Sequence, residues 1–245
     1  IVEDAQGAPP SVPFWRGEAP ERTAELSLRV SDLRQIISDK LNGATVGMDH
    51  PNVLDTVKWL EENCNVNKAG AEQIIEYILQ GRALLGKVPT QKTIIAERFF
   101  DEAGGMQLII HSPFGARINK AWGLALRKRF CRSFDVELQA SATDNGINIA
   151  LTEQHSFPLA DVFDFLNVKT IKKVLTQAVL QSPIFATRWR WDAVRALALV
   201  RFRNGKKVPP NIMRMLSEDL LTAVFPDAVA CQDNLAGRDL ELPDH

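Results

Sequence analysis

Cysteine is scarce in this chain. Cys64, Cys131 and Cys231 are far apart and odd in number, and no pair has C-x-x-C spacing. A disulfide framework and a cysteine-built zinc site are therefore not expected, and the usage fits a reducing, cytoplasmic compartment. Long hydrophobic runs are also lacking, so no segment has membrane-spanning length and no membrane partner is expected. The chain begins at Ile1 without a methionine or a signal-like start, which reads as a segment of a longer protein. Catalytic patterns are missing too: there is no G-x-S-x-G, no H-E-x-x-H and no paired-carboxylate constellation. Neither His111 nor His155 has a serine or cysteine nucleophile at a recognisable spacing. The sequence offers no active site of its own.

Acidic residues are absent from one whole block. Ala103 to Phe134 reads AGGMQLIIHSPFGARINKAWGLALRKRFCRSF. It carries Arg117, Lys120, Arg127, Lys128, Arg129 and Arg132, interleaved with Phe114, Trp122, Phe130 and Phe134. The formal net charge of the chain is -1, so charge is segregated here and not generally biased. A phosphate backbone and its bases attract cations set beside aromatics. The competing reading is a helix with a solvated basic face. From Pro183 to Arg214 the theme repeats, with Arg188, Arg190, Arg195, Arg201, Arg203, Lys206, Lys207 and Arg214 against the one acid Asp192, and with Trp189 and Trp191 among the first arginines. No single helix collects the Asn, Gln and Arg that a sequence-specific groove reader needs.

A chain of 245 residues with 45% hydrophobic content can bury a real core. Residues 1–22 hold Pro9, Pro10, Pro13 and Pro20 and read as an extended arm. Trp15 within it is either a plug for a hydrophobic groove or an exposed stacking platform. Residues 23–90 read as a helical layer. Thr23 to Leu41 shows Leu26, Val30, Leu33, Ile37 and Leu41 at helical spacing; Asn52 to Glu62 is a second helix, and Asn67 caps a third. Residues 91–245 read as an α+β core that forms one structural unit with the helical layer. Strands are predicted at Lys92 to Phe100 and Met106 to Ser112 around Gly104-Gly105, and at Val136 to Thr143 and Ile147 to Thr152 around Asp144-Asn145-Gly146. A helix from Ala116 to Arg132 lies between the pairs, with an apolar stripe of Ile118, Trp122, Leu126 and Phe130. Four helices follow: Leu159 to Leu166, Lys169 to Gln181, Trp189 to about Arg203, and Asn211 to Val224. The fold class is α+β, a small mainly antiparallel sheet with helices on one face.

Two stretches imitate nucleotide-handling motifs. GRALLGKV at 81 to 88 approaches a phosphate-binding loop, but a helix precedes it, Pro89 follows and Val88 replaces the hydroxyl. Asp101-Glu102-Ala103-Gly104 approaches the acidic box of an ATPase motor but falls at a hairpin turn. Neither is expected to act on ATP. His111, in HSPFG beside the basic helix, reads either as a phosphate donor or as a satisfied structural histidine.

VPFWRGEAPERTAELS at 12 to 27, ERFFDEAGGMQLIIHSPFGARINKAWGLALRKRF at 97 to 130, SPIFATRWRWDAVRALALVRF at 182 to 202 and KKVPPNIMRMLSEDLLTAVFPD at 206 to 227 resemble the Lhr, or large helicase-related, family of superfamily 2 DNA helicases. The resemblance is to the DEAD/H-associated region that follows two motor domains and a winged helix. It covers residues 12 to 245, most strongly after residue 92. It implies an accessory domain of an ATP-dependent 3′-to-5′ translocase. The implied partners are single-stranded DNA, DNA or RNA–DNA duplexes, and the motor and winged-helix domains of the same parent chain. ATP and Mg²⁺ belong to those motors; this segment is expected to hold no cofactor and to hydrolyse nothing alone. A tryptophan near the start of the family's domain stacks on a base, and Trp15 is the matching residue. The candidate nucleic-acid contacts are Trp15, Arg16, His111, Arg117, Lys120, Arg127, Lys128, Arg188 and Arg190. A scaffold that docks the motors without touching DNA is the alternative.

Overall fold

The structure, a computed structural model, describes residues 6–7, 21–45, 47, 49–134, 138–151, 157–180, 182–229 and 239–240. Three helices form the N-terminal layer: α1 (Ala24–Lys40), α2 (Pro51–Cys64) and α3 (Lys68–Leu85). Thr23 Oγ1 accepts from Leu26 N at 3.2 Å, His50 Nδ1 from Asn52 N at 3.1 Å and Asn67 Oδ1 from Gly70 N at 2.8 Å, so a side chain caps each of the three helix starts. Pro51 opens α2 at the first helical position, where its missing N–H costs nothing. Ile37, Leu41, Val53, Leu60, Ile75 and Ile78 lock the three helices into one buried cluster. The GRALLGKV stretch is the last turn of α3 and its cap: Gly86 is left-handed and its N–H returns to Arg82 O. The Arg82 guanidinium donates to the carbonyls of Ser38, Leu41 and Ala44 at 3.1, 2.9 and 2.7 Å, closing the C-terminal end of α1.

The predicted stripe on α1 is only half correct. Ile37 and Leu41 are buried, but Leu26 is 51% exposed while Ser27 and Ser31 are buried. The first half of α1 faces backbone, where only small residues fit. A Cβ on Gly115 (φ +96°) would stand 2.9 Å from Ser27 Oγ, and Ser31 Oγ accepts from Gln91 N at 2.7 Å.

Strands β1 (Ile95–Phe100), β2 (Met106–His111), β3 (Leu138–Thr143) and β4 (Gly146–Leu151) form one antiparallel sheet in the order β1-β2-β4-β3. The register aligns Ala96, Ile110, Ile147 and Ala142 in one row and Arg98, Leu108, Ile149 and Ala140 in the next. Period-two alternation puts Met106, Leu108, Ile110, Ile147 and Ile149 on one buried face. Helix α4 (Ala116–Phe134) covers that face. Phe130 is fully buried, with its ring 4.6 Å from Phe165 and 5.7 Å from Phe157. A Phe-to-Ala cavity at such a site costs about 3–5 kcal/mol. The α4 stripe also differs from expectation at its start. Leu126 and Phe130 are buried, but Ile118 is 49% exposed and Asn119 takes the inward place.

The predicted Asp144-Asn145-Gly146 turn does more than reverse the chain. Asp144 Oδ1 accepts from Ala116 N at 2.8 Å and so caps α4, whose start lies 28 residues earlier. Arg22 Nη2 donates to Asp144 O and to Asn145 Oδ1, both at 2.7 Å, and Arg34 reaches Asn145 Oδ1 at 3.4 Å. The turn thereby ties α1 to the sheet and to α4.

After β4 the expected Leu159–Leu166 helix is a single 3₁₀ turn, Leu159–Phe163. It begins directly after Pro158 and is closed by i→i+3 bonds such as Asp161 N to Pro158 O. Next come α5 (Ile171–Leu180) and α6 (Pro183–Arg195). Helix α6 starts six residues before the predicted Trp189 because Ser182 Oγ caps Ile184 N and Pro183 suits the first turn. It stops short of Arg203. Leu197 turns left-handed (φ 59°), and residues 202–207 form a ribbon of β5 (Phe202–Arg203) and β6 (Lys206–Lys207). Helix α7 (Pro210–Val224) then packs on α6 around Leu221 and Phe225.

Candidate nucleic-acid interface

Helix α4 carries its cations toward acceptors within the fold. Arg127 Nε donates to Leu138 O at 2.9 Å and Arg129 Nε to Phe165 O at 3.0 Å. Arg132 pairs with Asp239 at 3.1 Å, and Lys120 pairs with Glu21. Lys128 is 4% exposed, and burial pulls its ammonium below the ordinary lysine range. These contacts account for a basic helix without local acids: two backbone carbonyls and two carboxylates distant in sequence supply the acceptors. Arg117 is the exception, exposed and without a hydrogen bond or ion pair among the described residues. It lines a shallow cavity of about 360 Å³ between the starts of α1 and α4, with Glu21, Arg22, Phe114 and Ile118.

His111 lies on the sheet face opposite α4, since Ile110 before it faces the core. Its Nε2 is 2.7 Å from Glu97 Oε1 on the neighbouring strand. The Asp101 box is a turn device. Its carboxylate accepts from Ala103 N, Gly105 N and Gln107 Nε2, and the bonds from Gln107 and Gly105 hold it below the usual carboxylate range. Trp15 and Arg16 lie outside the described residues.

The second basic block is arranged differently. A helix turns about 100° per residue, so Trp189 and Trp191 face nearly opposite ways. Trp189 turns inward, packs beside Leu221 and Phe225, and donates Nε1–H to Ser217 O at 2.9 Å. Trp191 turns outward, 38% exposed, with the Arg188 guanidinium 4.7 Å from its ring centre. Arg195, one turn on, reaches Asp192 at 3.4 Å. Arg190 is half-buried, and Arg201, Arg203, Lys206 and Lys207 are exposed; none of the five has an ion pair among the described residues. Sequence reasoning placed the last four in the basic block but not among the contacts. The signal was the Asn204-Gly205 pair, a hairpin turn that exposes flanking residues on both sides.

Residues 88–235, more than half of the chain, match the DEAD/H associated family. The chain belongs to the DEAD/H-associated family. Its relatives are Lhr helicases. It is 31% identical to the Lhr helicase/probable uracil glycosylase of Mycolicibacterium smegmatis and 32% identical to the Lhr helicase/uracil glycosylase of Escherichia coli, over 93% of this chain in each case. It is 25% identical to the ATP-dependent helicase Lhr-Core of Saccharolobus solfataricus over 91% of its length. The chain spans 14% of each of the first two proteins and 25% of the third. Among solved structures it resembles the Mycobacterium smegmatis helicase Lhr bound to ssDNA and AMP-PNP, with a TM-score of 0.68 and 27% identity. That match covers 95% of this chain and 28% of the other. No helix among the described residues is long and apolar enough to cross a membrane.

Proposed function

We propose that this chain is the accessory nucleic-acid-binding domain of an ATP-dependent 3′-to-5′ helicase of the Lhr type, acting on cytoplasmic DNA. It holds the tracking single strand through backbone charge and base stacking, both tolerant of sequence, so that a motor can step. The observation that carries this reading is the likeness along 95% of the chain to a helicase solved with single-stranded DNA bound. The accessible cation Arg117 and the exposed Arg188–Trp191 pair support it chemically. Trp15 and Arg16 are the proposed stacking and phosphate contacts of the arm. ATP and Mg²⁺ are handled by the motor domains of the parent protein, and DNA or RNA–DNA duplexes are unwound by the assembly.

A second reading, an interdomain scaffold, is favoured for α4 by the internal engagement of Lys120, Arg127, Arg129 and Arg132 and by the burial of Lys128. The two separate by salt dependence. Single-stranded oligonucleotide affinity is measured by fluorescence anisotropy across salt for the chain and for a variant with Arg117, Arg188 and Arg190 changed to Gln. The expected result is weaker binding for all sequences alike, with the slope reduced by about 0.7 per lost phosphate contact. No binding by the unaltered chain, or an unchanged slope in the variant, would leave the scaffold.

A further inference from the structure

We infer that the β5–β6 ribbon is a contact for the phosphate backbone of double-stranded nucleic acid. The ribbon projects from the junction of α6 and α7. Its base is fixed by Val208 N donating to Arg201 O at 2.9 Å, with Val208 and Leu199 buried beneath it. Its tip is a left-handed Asn204-Gly205 pair (φ 50° and 74°), the tight turn that suits the twist of a two-residue hairpin loop. Every residue from Arg201 to Lys207 is exposed.

The charge on this ribbon works against its own folding. Arg203 stands directly opposite Lys206, and like charges paired across a ladder destabilise it. Arg201, Arg203, Lys206 and Lys207 have no ion pair among the described residues. Helix α4 shows the alternative, since most of its cations reach an acceptor within the fold. Four exposed cations without an ion pair among the described residues, two of them opposed across the ladder, are complementary to a polyanion from outside.

The shape selects the duplex. A single strand is held in a groove that tracks its backbone between stacking platforms, and the ribbon is convex. Its cations lie on both faces: Arg203 and Lys206 on one, Lys207 beside Phe202 on the other. Two rows of phosphate flanking a groove wide enough for a two-stranded ribbon are what a duplex offers. This goes beyond the single-strand reading and places a second contact on the chain, for the duplex that a translocase meets.

The test changes Arg201, Arg203, Lys206 and Lys207 together to Gln in the 245-residue chain. A control changes the exposed Lys58, Lys68, Lys87 and Lys92 to Gln, for the same loss of net charge. Anisotropy is read with a blunt duplex and with a single strand of equal length across about 50 to 200 mM salt. The ribbon variant should lose duplex affinity at least tenfold, with the slope lowered by about 0.9 for each phosphate contact removed. Its single-strand affinity should hold within twofold and its melting temperature should stay or rise, because the like-charge pair is relieved. The control should bind as the parent does. Unchanged duplex binding would overturn the inference and leave the ribbon, with exposed Phe202 and Val200, to a protein partner. Equal losses on both nucleic acids, or equal losses in the control, would overturn it as well. A chain that binds duplex through the ribbon but no single strand would overturn the reading above and leave this one standing.

Discussion

Asn119 is the residue on which the junction of sheet and helix should be tested. It is fully buried on α4. Its Nδ2 donates to Ser112 O at 2.7 Å and to Thr143 O at 2.9 Å, and its Oδ1 accepts from Ser112 Oγ at 3.0 Å. One amide thus joins the ends of β2 and β3 to the second turn of α4. Asn119→Leu keeps the volume and removes all three bonds. Ser112 O retains Phe114 N as a donor at 2.8 Å, and Thr143 O faces Gly146 in the closing pair of the β3–β4 hairpin, so Ser112 Oγ is the group that loses its partner. Each buried polar group left unpaired costs about 1–3 kcal/mol. Part is offset by the added apolar burial, so the net loss is about 1–2 kcal/mol. At about 2–4 °C per kcal/mol for a chain of this size, the melting temperature should fall by about 5 °C. Urea unfolding followed by circular dichroism measures the loss, and Ser112→Ala supplies the second corner of a double-mutant cycle. The cycle should return a coupling of about 1 kcal/mol between residues 112 and 119. A loss below about 0.5 kcal/mol for Asn119→Leu, a level ordinary for surface sites, would refute the reasoning.

Two further outcomes follow from charges inside the fold. Lys128 has its pKa lowered by burial, so between its folded value and the ordinary 10.5 the unfolded chain binds the additional proton, and stability rises with pH through that window. Lys128→Met should remove that rise; denaturation series at several pH values show it, and an equal rise in the variant would contradict the sign. Arg82→Met should cost about 2–3 kcal/mol, since it removes a donor from three carbonyls at the end of α1, of which Leu41 O keeps Ala44 N, and hydrogen exchange should report faster opening of residues 37–44.

The order and kind of most elements were legible in the chain because they depend on neighbours a few residues away. Asn67 and Thr23 cap helices within one turn, Asp144-Asn145-Gly146 closes a hairpin locally, and the alternation of β2 and β4 is a property of the strand itself. Helix α6 begins at Pro183 and not at Trp189, because the Ser182 cap and Pro183 start it six residues earlier. Once Pro183 opens the helix, simple rotation sends Trp189 inward and leaves Trp191 outside. What the chain could not disclose was the fate of its cations. Composition marks a block without acids but not which acceptors folding will bring to it. Arg129 meets a carbonyl 36 residues away, Lys120 a carboxylate 99 away and Arg132 one 107 away. A charge pattern is a one-dimensional fact, whereas a partner is a position in space. The tertiary structure alone decided that most cations of the first block have an acceptor within the fold, and that Arg201, Arg203, Lys206 and Lys207 of the second stay exposed without an ion pair among the described residues.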